Sequence, residues 1–150
     1  MNIRKARMED VSNIRELINI FALKEAMLPR SLNMLYESLR DFWVGEENSQ
    51  IIACCALHPI WQDMAEIKSL AVREDIQKKG LGAEMVKACL SESEVLGIKK
   101  VFALTYVPDF FCRLGFKRGE KENMPHKIWS ECIKCPHFPD CNEILVEMEL

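Results

Sequence analysis

Apolar residues along this chain switch between strand spacing and helix spacing, and the switches divide it into elements. "NIRKAR" alternates as a first strand. From Glu9 onward Val11, Ile14, Leu17, Ile18 and Phe21 recur at helical spacing, with Asp10 in position to cap that helix. Pro29 interrupts, and Ser31 caps a second helix bearing Leu32, Leu35 and Leu39. "DFWVGEENSQIIACCAL" sets two apolar runs around a polar tip and predicts a hairpin; "EIKSLAV" is the next strand. After Gly80, the residues Leu81, Met85, Cys89 and Leu96 mark one face of a third helix, which Gly97 ends. "KKVFALT" is a compact buried strand. "PDFFCRLGF" is a short helix with Pro108 at its start and Gly115 as its stop, and "EILVEMEL" closes the chain as an alternating strand. The order β-α-α-β-β-β-α-β-α-β predicts an α/β (α+β) fold, a mixed sheet with helices on its faces.

No repeat, low-complexity tract or Ser/Gly linker divides the 150 residues, so 1–150 reads as one domain with a core of its own. A formal net charge of -3 argues against a nucleic-acid partner gripped by a bulk positive field, while leaving room for a local basic pocket. "MNIRKARMED" lacks the apolar stretch of a signal peptide, and no apolar run reaches spanning length. The expectation is therefore a cytoplasmic protein with no membrane partner. Cys54, Cys55, Cys89 and Cys112 lie inside apolar patterns, where a reduced thiol behaves as a small buried hydrophobe. The remaining cysteines cluster in a C-terminal segment, residues 124–142.

The stretch "EIKSLAVREDIQKKGLG", Glu66 to Gly82, brings together a strand, a basic glycine loop and a fresh helix start. Unpaired N–H groups at a helix start point outward, and the helix dipole adds partial positive charge, so this is a recipe for an anion site. Gly80 and Gly82 let the backbone approach a phosphate, and Lys78 and Lys79 add charge. Two nucleotide motifs are excluded: there is no G-x-x-x-x-G-K-[ST], and Met85 stands where G-x-G-x-x-G needs its third glycine. On spacing alone, a plain connection with a lysine-rich surface turn fits equally well.

"LAVREDIQKKGLG" resembles the acetyl-CoA-binding segment of the GCN5-related N-acetyltransferases (GNAT), whose loop reads Q/R-x-x-G-x-G/A. Here that loop is Gln77, Lys78, Lys79, Gly80, Leu81 and Gly82. The following helix, the "VFALT" strand and the "FFCRLGF" helix come in the family's order, so the resemblance runs from about Arg4 to Phe116. It implies the GNAT fold, a mixed, mostly antiparallel central sheet flanked by helices, and acetyl-CoA as cosubstrate. The loop amides would bind the CoA pyrophosphate, and the backbone at Leu70, Ala71 and Val72 would pair with the pantetheine arm like an added strand.

Within the family, "MLPRS", "AEIKSLAV", "VFALTYVPDFFCRLGF" and "MPHKIWSECIKCPHFPDC" resemble the acetyltransferase domain of N-acetylglutamate synthases, especially the short stand-alone kind. This implies transfer of acetyl to the α-amino group of L-glutamate, the start of arginine biosynthesis. Dimers are common in the family, which makes a homodimer the expectation. Glutamate brings two carboxylates that need charged or hydrogen-bonding partners. Arg30 matches the family's substrate-binding arginine and, with the Leu28 backbone, suits the α-carboxylate; a solvated cation at a helix start is the plainer reading. Lys127 and Lys68 are candidates for the other carboxylate, although exposed lysines are common. Long synthases bind glutamate with an Arg and a Ser on a late strand, a region held here by the Cys-rich segment.

The attacking amine must lose a proton. Glu66 lies in the register where several GNAT enzymes carry their catalytic Glu, and a surface residue at a strand end is the alternative. The strand backbone near Leu70 would polarise the thioester carbonyl. Phe111 stands where many relatives have a Tyr acid; Tyr106 is close in sequence, and a CoA thiolate can leave without an acid. Cys112 invites an acylated-thiol intermediate, but packing beside Phe110 and Phe111 explains it more simply. In "CIKCPHFPDC", Cys132, Cys135, His137 and Cys141 match the ligand count of a tetrahedral zinc site. A proline-braced loop, a disulfide formed in air or a redox switch would use the same residues. Two other functions compete: acetylation of another small amino acid or amine, and a non-catalytic acetyl-CoA sensor. A polyamine acceptor would want acidic residues rather than Arg30.

Overall fold

In the computed structural model of the chain, which describes residues 1–24, 29–77, 79–120 and 143–150, these patterns resolve into one sheet and four α-helices among the described residues. In chain order they are β1 (Asn2–Lys5), α1 (Val11–Leu23), α2 (Leu32–Glu37), β2 (Phe42–Glu47), β3 (Gln50–Trp61) and β4 (Met64–Val72). Then come α3 (Leu81–Leu96), β5 (Lys100–Thr105), α4 (Pro108–Arg113), β6 (Lys117–Arg118) and β7 (Ile144–Glu149). The seven-stranded sheet runs β1-β2-β3-β4-β5-β7-β6. Among the described strands only β4 and β5 pair in parallel, and α3 is the crossover between them.

Strand alternation divides the core into two faces. Ala53, Cys55 and Leu57 of β3, Ala65 and Ile67 of β4, and Val101 and Ala103 of β5 pack under α3 and α4, against Met85, Val86, Cys89 and Phe111. The opposite face of the same strands holds Cys54, Ala56 and Ala71 beneath α1 and α2, whose Val11, Ile14, Ile18 and Leu35 cover it. Ser31 caps α2 by accepting the Met34 N–H at 3.2 Å. The β2–β3 hairpin turns through Asn48 and Ser49, both at positive φ (51° and 63°), the backbone hand that matches strand twist.

Three local expectations give way to the structure. Asp10 stands at the N-cap position of α1, but its side chain makes no capping bond there. It closes a 3₁₀ turn, accepts the Arg7 N–H at 2.7 Å, and binds the Arg4 guanidinium at 2.7 and 3.1 Å. A buried carboxylate needs such a partner, and Arg4 holds the Asp10 carboxyl below its ordinary range. Leu96 is 56% exposed rather than on the α3 core face. Gly97 (φ 80°) folds the chain back so that the Ile98 N–H reaches the Ser93 carbonyl at 2.9 Å, and Ile98 fills the core instead. Finally, β6 adds a strand that the periodicity does not predict, two residues being too few for a pattern.

Candidate active site

The sheet opens at its centre. β4 pairs with β5 only at Met64↔Lys100, Ala65↔Val101 and Glu66↔Phe102. Beyond Glu66, β4 keeps its bonds to β3, while β5, paired with β7 on its other edge throughout, has no further partner on β4, so the two parallel strands diverge. A bulge helps drive them apart. Ser69 has φ 56°, and the register with β3 shifts between Cys54 and Ala56. The Cys54 thiol donates to the Ser69 carbonyl at 3.3 Å. Among the described residues, 67–72 thus present a strand edge of about 20 Å toward β5 without a neighbouring strand. Leu70, Ala71 and Val72 lie on this edge.

The basic glycine loop lies at the far end of that edge. Gln77 donates its side-chain N–H to the Val72 carbonyl at 2.9 Å, tying the loop to the strand it follows. Gly80 takes φ 81° to turn the chain into α3, a left-handed conformation that costs other residues about 1–2 kcal/mol. The first helical bond runs from the Glu84 N–H to the Gly80 carbonyl, so the amides of Leu81, Gly82 and Ala83 precede the intrahelical ladder. Lys79 is exposed beside them. A Cβ on Gly82 would come 3.3 Å from the Phe110 ring and 3.9 Å from Val72. Strand end, helix start and α4 therefore meet at one point. Phe110 at this junction was not singled out as a contact residue by the sequence pattern. The nearby Arg73 cation is committed to Asp75 (2.7 Å) and Gln50 (3.0 Å).

On the α1/α2 face the carboxylate of interest is buried. Ala65 and Ile67 point under α3, so Glu66 between them faces the other way, 3% exposed. It is the last β4 residue paired to β5. Lys68, half-buried, shares its face, and both residues have interaction partners in the structure. Arg30 is half-buried immediately before the α2 cap, on the same side of the sheet, and has no ion-pair partner among the described residues. Lys24 at the end of α1 pairs with Glu74 just beyond β4.

Other predicted participants separate clearly. Phe111 is buried edge-on to Phe116 at a centroid distance of 5.2 Å, where it seals the core beneath α4. Tyr106 is exposed after β5, and Cys112 is half-buried on α4. Burial pushes the Cys54 thiol up to about 12. Cys55 is also pushed up, by its contact with Cys89 (Sγ–Sγ 3.6 Å) and by burial. These core thiols are neutral packing groups at ordinary pH. Leu28, Lys78, Lys127, Cys132, Cys135, His137 and Cys141 lie outside the described residues. Among the described residues there is no group of three or more His, Cys, Asp or Glu able to hold a metal, and no helix long and apolar enough to cross a membrane.

Known proteins share this sequence and shape. The family model described as Acetyltransferase (GNAT) family matches residues 8–116. The chain is 41% identical over 145 residues to an uncharacterized N-acetyltransferase of Chlorobaculum tepidum, covering 95% of this chain and 92% of the other. It is 33% identical over 135 residues to an amino-acid acetyltransferase of Mycobacterium tuberculosis, covering 88% of this chain and 77% of the relative. Its structure also matches a crystallised Mycobacterium tuberculosis protein in complex with CoA, with a TM-score of 0.86 and 29% identity, over 100% of this chain and 99% of that one.

Proposed function

The chain belongs to the acetyltransferase (GNAT) family and is an acyltransferase, and from that premise we propose that it transfers acetyl from acetyl-CoA to the α-amino group of L-glutamate. The observation that carries this reading is the divergence of β4 from β5 at Glu66. It leaves an unpaired strand edge with a helix N-terminus at one end and a buried carboxylate at the other. CoA has matching parts: a diphosphate for helix amides, an amide-bearing arm for a strand edge, and a thioester at the arm's tip. A relative named amino-acid acetyltransferase and a full-length structural match in complex with CoA support both partners.

In this reading the amides of Leu81 and Gly82, with Gln77, Lys78, Lys79 and Gly80, hold the diphosphate. The β4 edge at Leu70, Ala71 and Val72 takes the arm. Glu66 accepts a proton from the substrate ammonium, and the neutral nitrogen attacks the thioester carbon. The β4 backbone near Leu70 hydrogen-bonds the developing oxyanion, and CoA leaves as the thiolate. Arg30 and the Leu28 backbone hold the α-carboxylate, while Lys68 and Lys127 meet the other. Such an activity would sit at the start of arginine biosynthesis.

Thiol release from acetyl-CoA, followed across the twenty amino acids and a polyamine, tests the acceptor. Release with L-glutamate is expected. Arg30→Ala should then raise the KM for glutamate by about 10- to 100-fold, the worth of one charge-assisted hydrogen-bonded contact, with the KM for acetyl-CoA little changed. Release with the polyamine alone would overturn the glutamate assignment, and an unchanged KM in Arg30→Ala would remove Arg30 from the site.

A further inference from the structure

We propose that His58, held by Asp41, relays to solvent the proton that Glu66 takes from the acceptor amine; the inference rests on the acetyl-transfer reading above. A carboxylate only 3% exposed that receives a proton in every turnover needs a way to release it. The neighbours of Glu66 across the sheet differ sharply. On the β5 side its partner is Phe102, fully buried and unable to carry a proton. On the β3 side its partner is His58.

Leu57 points under α3, so His58 shares the α1/α2 face with Glu66, and directly opposed residues in an antiparallel pair stand about 5 Å apart at Cβ. The imidazole is in contact with water, its side chain 35% exposed, whereas Glu66 is enclosed. Its Nδ1 lies 2.6 Å from Asp41 Oδ2, in the 3₁₀ turn that leads into β2, and Asp41 is 19% exposed. A ring that gives Nδ1–H to that carboxylate leaves Nε2 as the atom that can take up a proton. A buried acid, an oriented imidazole and bulk water are thus arrayed across one sheet face.

Protons balance as follows. The substrate ammonium gives one proton to the Glu66 carboxylate, and its nitrogen forms the C–N bond as the C–S bond breaks. The second ammonium-derived proton leaves nitrogen as the amide forms and ends, through solvent, on the CoA thiolate. Nε2 of His58 takes the Glu66 proton, directly or through one water, and releases it to solvent. His58 acts through Glu66 and is a positioning and relay residue; it need not touch the substrate.

The test compares wild type, His58→Gln, His58→Ala and Asp41→Asn in acetyl transfer to whichever amino acid the wild type accepts, L-glutamate first. Gln can still donate to Asp41 but offers no titrating nitrogen. His58→Gln is expected to lower kcat by about 10- to 100-fold, with the KM for the amino acid and the affinity for CoA changed less than about threefold. Asp41→Asn should lower kcat in the same direction by less, and added imidazole should restore part of the rate to His58→Ala. A wild-type kcat in His58→Gln, or a loss in His58→Ala that imidazole leaves untouched, overturns the relay while acetyl transfer stands. A wild type that acetylates no amino acid overturns the functional reading and the relay with it.

Discussion

Glu66→Gln is expected to lower kcat for acetyl transfer by about 100-fold or more while the affinity for coenzyme A stays within about twofold. The amide has the shape of the carboxylate but cannot take a proton from an ammonium group. Glu66 is the last β4 residue bonded to β5, so it stands where the strands part and a thioester on the free edge would meet an incoming amine. The proposed CoA contacts begin four positions later along the chain on the β4 edge, at Leu70, and eleven positions later in the loop, at Gln77, so the substitution is expected to leave them in place. The pair of readings separates an enzyme from a cofactor sensor. An unchanged kcat in Glu66→Gln would remove this carboxylate from the chemistry, and a matching fall in CoA affinity would make its role structural.

The second large effect is at Gly82. Even a methyl group there would press to 3.3 Å on Phe110, whose ring also packs edge-on to Phe111 at 5.1 Å. A larger side chain has two ways out: displacing Phe110 or covering the free amides at the start of α3. Either closes the space in which a diphosphate would sit. Gly82→Leu is expected to weaken CoA binding, read by calorimetry, by at least about 30-fold, since several charge-assisted contacts of about 1.5–3 kcal/mol each are at stake. Gly80→Ala contrasts with it. No atom lies within 4 Å of a Cβ at Gly80, so only the left-handed backbone opposes the change, and a loss of about 30-fold is the most that strain alone explains. Equal affinity in Gly82→Leu and wild type would show that the ligand does not approach this helix start.

How much of this was legible in the sequence depends on whether a feature is local. The loop from Gln77 to Gly82 carries its own chemistry, and Gly97 and Pro108 mark real helix ends, so the pattern predicts them. Glu66 is singled out through the family resemblance, and the structure buries it on the face opposite Ala65 and Ile67. The divergence of β4 from β5 is another matter. It goes with a bulge at Ser69, where "SLAV" reads as uninterrupted strand. Serine at positive φ gives no signal of the kind a glycine does. The His58–Asp41 contact was likewise hidden, because a histidine within "ALHPIW" has no local reason to meet an aspartate before the preceding strand. The β2–β3 hairpin brings them together. Leu96 failed for a reason of the same kind: spacing predicts a face, but the turn after Gly97 supplies Ile98 to fill it. Arg30, Leu28 and Lys127 are proposed only through the resemblance to N-acetylglutamate synthases, since no spacing marks a carboxylate clamp.

In the proposed complex, coenzyme A lies along the open edge of β4 with its diphosphate on the first turn of α3. Amide hydrogen exchange with and without coenzyme A tests it most directly. Added ligand should slow exchange at Leu70–Val72 and at Lys79–Ala83, leaving the outer strand β1 unaffected. Protection confined to other segments, or none at saturating ligand, would contradict it.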